Sequence, residues 1–269
     1  MNQSEKRLFL IQSLLKEQPQ YRDMGIPADT NSQRQLLRGL MNIRAPRHTD
    51  GAFLKTQDEY LQGETAAKGV TDIADLMPIQ PGLYLWQGDI TTLKCDAIVN
   101  AANSGMTGCY IPNHRCIDNA IHTFAGVELR LACEELMEQQ GYPEPTGQAK
   151  ITPAFNLPCR YVLHTVGPII DGRVTKKDKE LLASCYRSCL ELAAEKGLES
   201  VAFCCISTGE FHFPNELAAE IAVRTVKEFL KKQNSVKKVI FNVFKDLDKV
   251  IYEKLLRANG TVESSITGL

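Results

Sequence analysis

The sequence has no long apolar run, no block of like charge and no cysteine framework. Without about 18 consecutive apolar residues, no membrane-spanning helix is expected. The opening M-N-Q-S-E-K-R-L-F-L carries no apolar signal core and no cleavage pattern. Lysine plus arginine (31) and aspartate plus glutamate (32) nearly cancel, leaving a formal net charge of −1. That balance removes the positive field that bulk nucleic-acid or anionic-membrane binding needs. It leaves room for a small anion held by backbone N–H groups. The nine cysteines are an odd number without framework spacing. They read as reduced thiols of a cytoplasmic protein, most of them small buried hydrophobes. No internal repeat and no low-complexity segment occurs.

What is present divides in two. The 269 residues, 43% of them hydrophobic, suffice for one large domain or one domain with a smaller extension. From 1 to 79 the texture is helical and polar. Leu8, Ile11, Leu14 and Leu15 recur at helical spacing. A second helix, beginning near Thr30 or Ser32, carries Leu36, Leu37, Leu40 and Met41 until Pro46 stops it. Shorter helical pieces are expected at 52–61 and 72–76. This region reads as a helical extension packed on the main domain.

From 80 to 258 strands alternate with helices. Strands are expected over 82–90, 96–103, 149–157, 161–168, 200–208 and 238–244. Helices are expected over 179–196, from Pro214 onward, and over 247–257, where Gly260 ends the last. The alternation predicts a three-layer α/β domain with a mostly parallel or mixed sheet. The tail, 259–269, is expected to be flexible.

Ligands of such a domain sit where strand ends meet helix N-termini. Four segments stand there. In G-D-I-T, Asp89 reads as a turn residue or as an acceptor for an exocyclic amine such as that of adenine. In N-A-A-N, Asn100 and Asn103 read as strand-end turn residues or as partners for a ribose, since an amide both donates and accepts. In S-T-G-E-F-H-F-P, Ser207, Thr208 and Gly209 read as a loop turn or as a diphosphate cradle at a helix start. In C-Y-I-P-N-H-R-C, Cys109, His114 and Cys116 read as two buried thiols and a surface imidazole, or as three ligands of a metal. The two-sulfur, one-nitrogen set favours Zn²⁺ with a fourth position open. Cys95, Cys204 and Cys205 read as core.

In this order the four segments resemble the macrodomain family, over Gly82 to about Tyr252. The resemblance is closer to its zinc-dependent bacterial and fungal branch, marked by G-C-x-x-P-x-H-x-C-I-D-N-x-I-H. Here that stretch reads G-C-Y-I-P-N-H-R-C-I-D-N-A-I-H, from Gly108 to His122. The resemblance implies a three-layer α/β/α fold with a mixed central sheet and a helical N-terminal extension. It also implies a hydrolase that removes ADP-ribose from modified protein side chains, most often O-linked Asp or Glu. Asp89 and the Ile90 backbone would take the adenine amine, and Phe244 its ring. Ser207, Thr208, Gly209, Glu210 and Phe211 would hold the diphosphate. Asn100 and Asn103 would stand at the distal ribose, Cys109, His114 and Cys116 would hold zinc, and Asp118 with Asn103 would serve the scissile bond. His212 departs from the glycine of many relatives, which puts the loop's geometry in question.

By analogy only, the partner would be a lipoyl-carrier protein modified by a sirtuin-like transferase, with neither nucleic acid nor membrane involved. A monomer is expected. The competing reading is a non-catalytic ADP-ribose reader with a structural zinc. An RNA-binding role is disfavoured by the neutral charge.

Overall fold

The computed structural model describes residues 1–258. The expected tail 259–269, with Gly260, lies outside the described residues. Three helices come first: α1 (Gln3–Glu17), α2 (Thr30–Ile43) and α3 (Gly51–Lys68). Each begins on a side-chain acceptor for an N–H group the helix leaves unpaired: Asn2, Asp29 and Asp50 receive the backbone N–H of Glu5, Ser32 and Phe53. Leu10, Ile11, Leu14, Leu37, Leu40, Phe53, Tyr60 and Leu61 form a small apolar cluster that also takes in Val127 from the main body. The expected piece at 52–61 is part of the continuous α3. The piece expected at 72–76 is a short 3-10 turn, Ile73–Asp75, directly after the strand β1 (Thr71–Asp72).

The main sheet is mixed. It contains β2 (Leu83–Gln87), β4 (Ala97–Ala102), β5 (Ala149–Pro153), β6 (Tyr161–Val166), β7 (Ser200–Phe203) and β8 (Lys238–Val243). Their order is β2-β8-β7-β4-β6-β5, parallel except that β5 runs against β6. β3 (Leu93–Lys94) pairs with β1 outside this sheet. β7 and β8 are covered on both faces, as their apolar runs require. The strand expected over 200–208 leaves the ladder after Phe203, although Cys204 and Ile206 stay buried.

α6 (Lys176–Glu195), α7 (Asn215–Leu230) and α8 (Asp246–Ala258) pack together as one layer. α4 (Ile117–Ala125) and α5 (Val127–Gln140) pack on β4 and β5, and α2 packs on α4. The sequence reading did not anticipate α4 and α5. In α5, Val127, Leu129, Leu131 and Cys133 fall on every second position, which imitates a strand. The nine-residue α4 is too short to display a period of its own.

Candidate active site

β2, β8, β7 and β4 are successive neighbours in the sheet. Asp89, Phe244, the Ser207–Phe211 loop and the Asn100–Asn103 segment therefore emerge along one row of carboxyl-terminal strand ends. Asp89 Oδ1 accepts from the Thr91 N–H (3.0 Å) and hydroxyl (2.6 Å). Its Oδ2 lies 3.1 Å from Lys68 Nζ, contributed by the last residue of α3. Burial raises this carboxyl, but the bonds from Thr91 and Lys68 prevail and hold it below the usual aspartate value. Ile90 is buried, at the start of the short 3-10 turn Ile90–Thr92 that follows Asp89. Phe244 is 76% exposed at the end of β8, a ring free to stack.

The loop after β7 is held from within. Thr208 donates to Cys205 O, His212 N–H to Gly209 O and Phe213 N–H to Ser207 O. Among the described residues the N–H groups of Gly209, Glu210 and Phe211 meet no protein acceptor, and α7 begins just beyond. Free N–H groups at a helix start suit an anion. Ser207 and His212 both have left-handed backbone, at φ 65° and 57°. The second value explains why glycine suits position 212, where an imidazole bears strain. Gly167 lies against Ser207: a Cβ there would stand 2.0 Å from the hydroxyl.

At the end of β4 both amides converge on Asp118, in the first turn of α4. Asn100 Nδ2 donates to Asp118 Oδ1 at 2.8 Å, and Asn103 Nδ2 reaches Oδ2 at 3.4 Å and Gly108 O at 3.1 Å. Burial pushes the Asp118 carboxyl up to about 6, against the Asn100 bond and the charge of Arg130. His122 Nε2 lies 3.5 Å from Asp118 Oδ1. Burial, His164 and Arg130 all push this imidazole well below its ordinary value, so it is neutral and the contact is no ion pair. The His122 ring also supports the ligand loop: Gly108, at φ 87°, would place a Cβ 2.8 Å from it.

Cys109, His114 and Cys116 each point one donor atom into a common space, all within 4.8 Å of one another. Cys109 Sγ and His114 Nδ1 are 3.6 Å apart. A tetrahedral centre with Zn–S near 2.3 Å and Zn–N near 2.0–2.1 Å implies an S···N separation of about 3.6 Å. The donors therefore fit zinc. Burial pushes the Cys116 thiol up to about 12, against the Asn119 N–H it accepts at 3.4 Å, and a divalent cation is the charge that reverses such a shift. The other nitrogen of His114 faces Glu210 Oε1 at 3.7 Å, which brings the 207–211 loop against the loop from Cys109 to Cys116.

Behind Asp118 lies a second cluster, His122, Cys133 and His164, fully buried. Asn100 Nδ2 is 3.2 Å from His164 Nδ1, which fixes the proton on Nε2, 2.9 Å from Thr152 Oγ1. Asn100 thus links the carboxyl to a buried imidazole, and the register of β4 on β6 sets Asn100 opposite His164. Sequence reasoning missed His164, Lys68 and the two arginines, Arg38 and Arg130, that brace the ligand loop. The available signal for His164 was a histidine inside the apolar run Y-V-L-H-T-V, matched by Asn100 inside A-I-V-N-A-A.

Comparison with known proteins follows this geometry. A family model described as the macro domain matches residues 99–222. The chain is 59% identical over 260 residues to a protein-ADP-ribose hydrolase of Treponema medium, covering 95% of this chain and 100% of that relative. It is 49% identical to a protein-ADP-ribose hydrolase of Staphylococcus aureus (strain MRSA252), covering 91% and 93% of the two chains. Among solved structures, a mutant macrodomain of Oceanobacillus iheyensis with ADPR superposes with a TM-score of 0.62 at 40% identity, covering 68% of this chain and 97% of the other. The Trypanosoma brucei macrodomain in complex with ADP-ribose gives 0.63 at 30% identity, over 81% and 94%. The hydrolase matches run through the extension as well as the sheet, and on that likeness the chain belongs to the macro domain family.

Proposed function

We propose that this chain is a protein-ADP-ribose hydrolase that depends on zinc and releases ADP-ribose from O-linked Asp or Glu side chains. The hydrolase names of relatives at 59% and 49% identity support the activity. The observation that carries the rest is local. Asp118 stands two residues after Cys116 on the first turn of α4, and both amides of N-A-A-N are turned onto its carboxylate. Metal donors, a carboxyl of raised pKa and the two amides bonded to it stand together where β4 ends and α4 begins.

In this reading Asp89 accepts the adenine amine, Phe244 covers the ring, and the N–H groups of 209–211 cradle the diphosphate. Ser207 Oγ, buried and without a protein partner among the described residues, adds a donor there. Asn103 orients the distal ribose. The bond to break joins its anomeric carbon to the acceptor oxygen, and water replaces that oxygen. Asp118 Oδ1 is fixed by Asn100, and Oδ2, with only the longer Asn103 contact, is the atom placed to take the proton of that water. A carboxyl of raised pKa suits this exchange near neutral pH. Bound by Cys109, His114 and Cys116, zinc would supply a Lewis acid beside the ribose.

Cys116→Ala tests the metal part, with bound zinc and release of ADP-ribose from an aspartyl-ADP-ribosylated protein both measured. The expected result is loss of both. Zinc lost with turnover near the native rate would make the metal structural.

Among the described residues no helix is long and apolar enough to cross a membrane. A monomeric cytoplasmic enzyme, with residues 1–79 as an extension of a macrodomain spanning 80–258, completes the proposal.

A further inference from the structure

The ligand loop between Cys109 and Cys116 lies on α2, an element far from it in sequence. Arg38, Gly39 and Asn42 form the contact. The Asn113 N–H donates to Asn42 Oδ1 at 3.0 Å, and Asn42 Nδ2 donates to Thr123 on α4. Gly39 leaves room for Pro112 and Asn113, which a Cβ would meet at 3.7 and 3.3 Å. Arg38 Nη2 donates to the carbonyl of His114 at 3.0 Å. Its Nε and Nη2 also grip Asn119 Oδ1, at 3.2 and 2.8 Å. Arg38 and Asn42 are one turn apart and share a face of the helix.

Asn119 is the hub. It is fully buried on α4. Its backbone N–H donates to Cys116 Sγ at 3.4 Å. Its Nδ2 donates to Ile111 O at 3.1 Å and Cys109 O at 3.5 Å. An amide can sit either way round unless its partners forbid one choice. A guanidinium only donates, so Arg38 admits the oxygen and turns the nitrogen onto the loop carbonyls.

Resting on the zinc reading above, we infer that Arg38 is a positioning residue of the metal site: through Asn119 and the His114 carbonyl it locks the loop that presents Cys109, His114 and Cys116. Partners that orient ligands change metal affinity by about 10- to 100-fold when removed. The helical extension, on this inference, completes the metal site.

The test uses the full chain. Zinc affinity is measured by competition with a chromogenic chelator, and the cobalt(II) form is followed by its sulfur-to-metal absorption. ADP affinity, read at Asp89 and the 207–211 loop, reports that the fold is intact. Arg38→Ala should weaken zinc binding at least tenfold, with a changed cobalt spectrum and ADP affinity within twofold of native. Arg38→Lys, which keeps the charge and loses the fork, should fall between. If Arg38→Ala does not fold, Arg38→Lys decides: a loss of fivefold or more supports the inference, and native zinc affinity overturns it. A native chain that binds zinc, with Arg38→Ala within twofold of it, refutes the inference alone. A native chain that takes no zinc refutes the metal reading and the inference with it.

Discussion

Replacing Arg130 by methionine should cost more stability than any surface change, because one buried guanidinium on α5 joins three parts of the molecule. Its Nη1 donates to the carbonyls of Asn42 and Arg44 at 2.6 Å each and of Met41 at 3.2 Å, so it caps the carboxyl end of α2. Nε donates to Thr107 O at 2.7 Å, and Nη2 reaches Cys109 O at 3.4 Å. Its charge also lies 4.2 Å from the centre of the Tyr110 ring. Methionine keeps most of the volume and no donor. Hydrogen bonds to a charged group contribute about 1.5–3 kcal/mol each, so the three short ones sum to about 5–9 kcal/mol gross. Burying the guanidinium offsets part, since burial lowers its pKa, and water entering the gap recovers more. A net loss of about 4 kcal/mol is expected, a large share of the roughly 5–15 kcal/mol that stabilises a domain. At roughly 2–4 °C per kcal/mol for a domain of this size, the thermal midpoint should fall by about 8–16 °C. Urea unfolding and calorimetry measure it. A loss under about 1 kcal/mol would refute the claim that Arg130 ties the extension to the ligand loop.

Other expectations follow from single residues. Burial lowers His164 to about 3, below the roughly 6.5 of an unfolded chain, so the unfolded state takes up the proton first as pH falls. Its contribution is fully present above about pH 6.5 and is lost progressively toward pH 3. His164→Gln should flatten that part of a stability–pH profile, and an unchanged slope would contradict the assignment. His212→Gly should raise stability by about 0.5–1 kcal/mol, the left-handed strain of roughly 1–2 kcal/mol less the entropy of glycine. Unfolding measurements check it, and a destabilised variant would show that the imidazole makes a compensating contact. Asp89→Asn removes a charged acceptor whose hydrogen bond is worth about 1.5–3 kcal/mol, so ADP affinity by calorimetry should fall roughly 10- to 100-fold. A change under twofold would remove Asp89 from the adenine site.

The sheet was legible because its strands are short apolar runs ending in polar residues, and the ligand segments because they sit at those ends. Asp89, Asn100, Asn103 and Ser207 could be placed without knowing which strands are neighbours. The order β2-β8-β7-β4, which brings them into one row, is a matter of long-range pairing that periodicity does not encode. α5 was hidden because alternating apolar positions mimic a strand. Arg38 was hidden for another reason. On the sequence it belongs to the polar face of an amphipathic helix, where arginine is ordinarily solvated. Only the packing of α2 on α4 turns it onto Asn119 and His114. Lys68 is alike: it ends a helix, and its approach to Asp89 depends on how the extension folds back.

The central claim is that Asp118 serves the chemistry at a site that binds ADP-ribose without it. The most direct measurement pairs release of ADP-ribose from a mono-ADP-ribosylated protein with calorimetric binding of free ADP-ribose, for the native chain and Asp118→Ala. The account predicts native turnover, a loss of at least a hundredfold in the variant, and affinity for free ADP-ribose within about threefold of native, since general acid–base groups contribute roughly 10²–10⁴-fold to rate. Turnover retained in Asp118→Ala at unchanged affinity would contradict it.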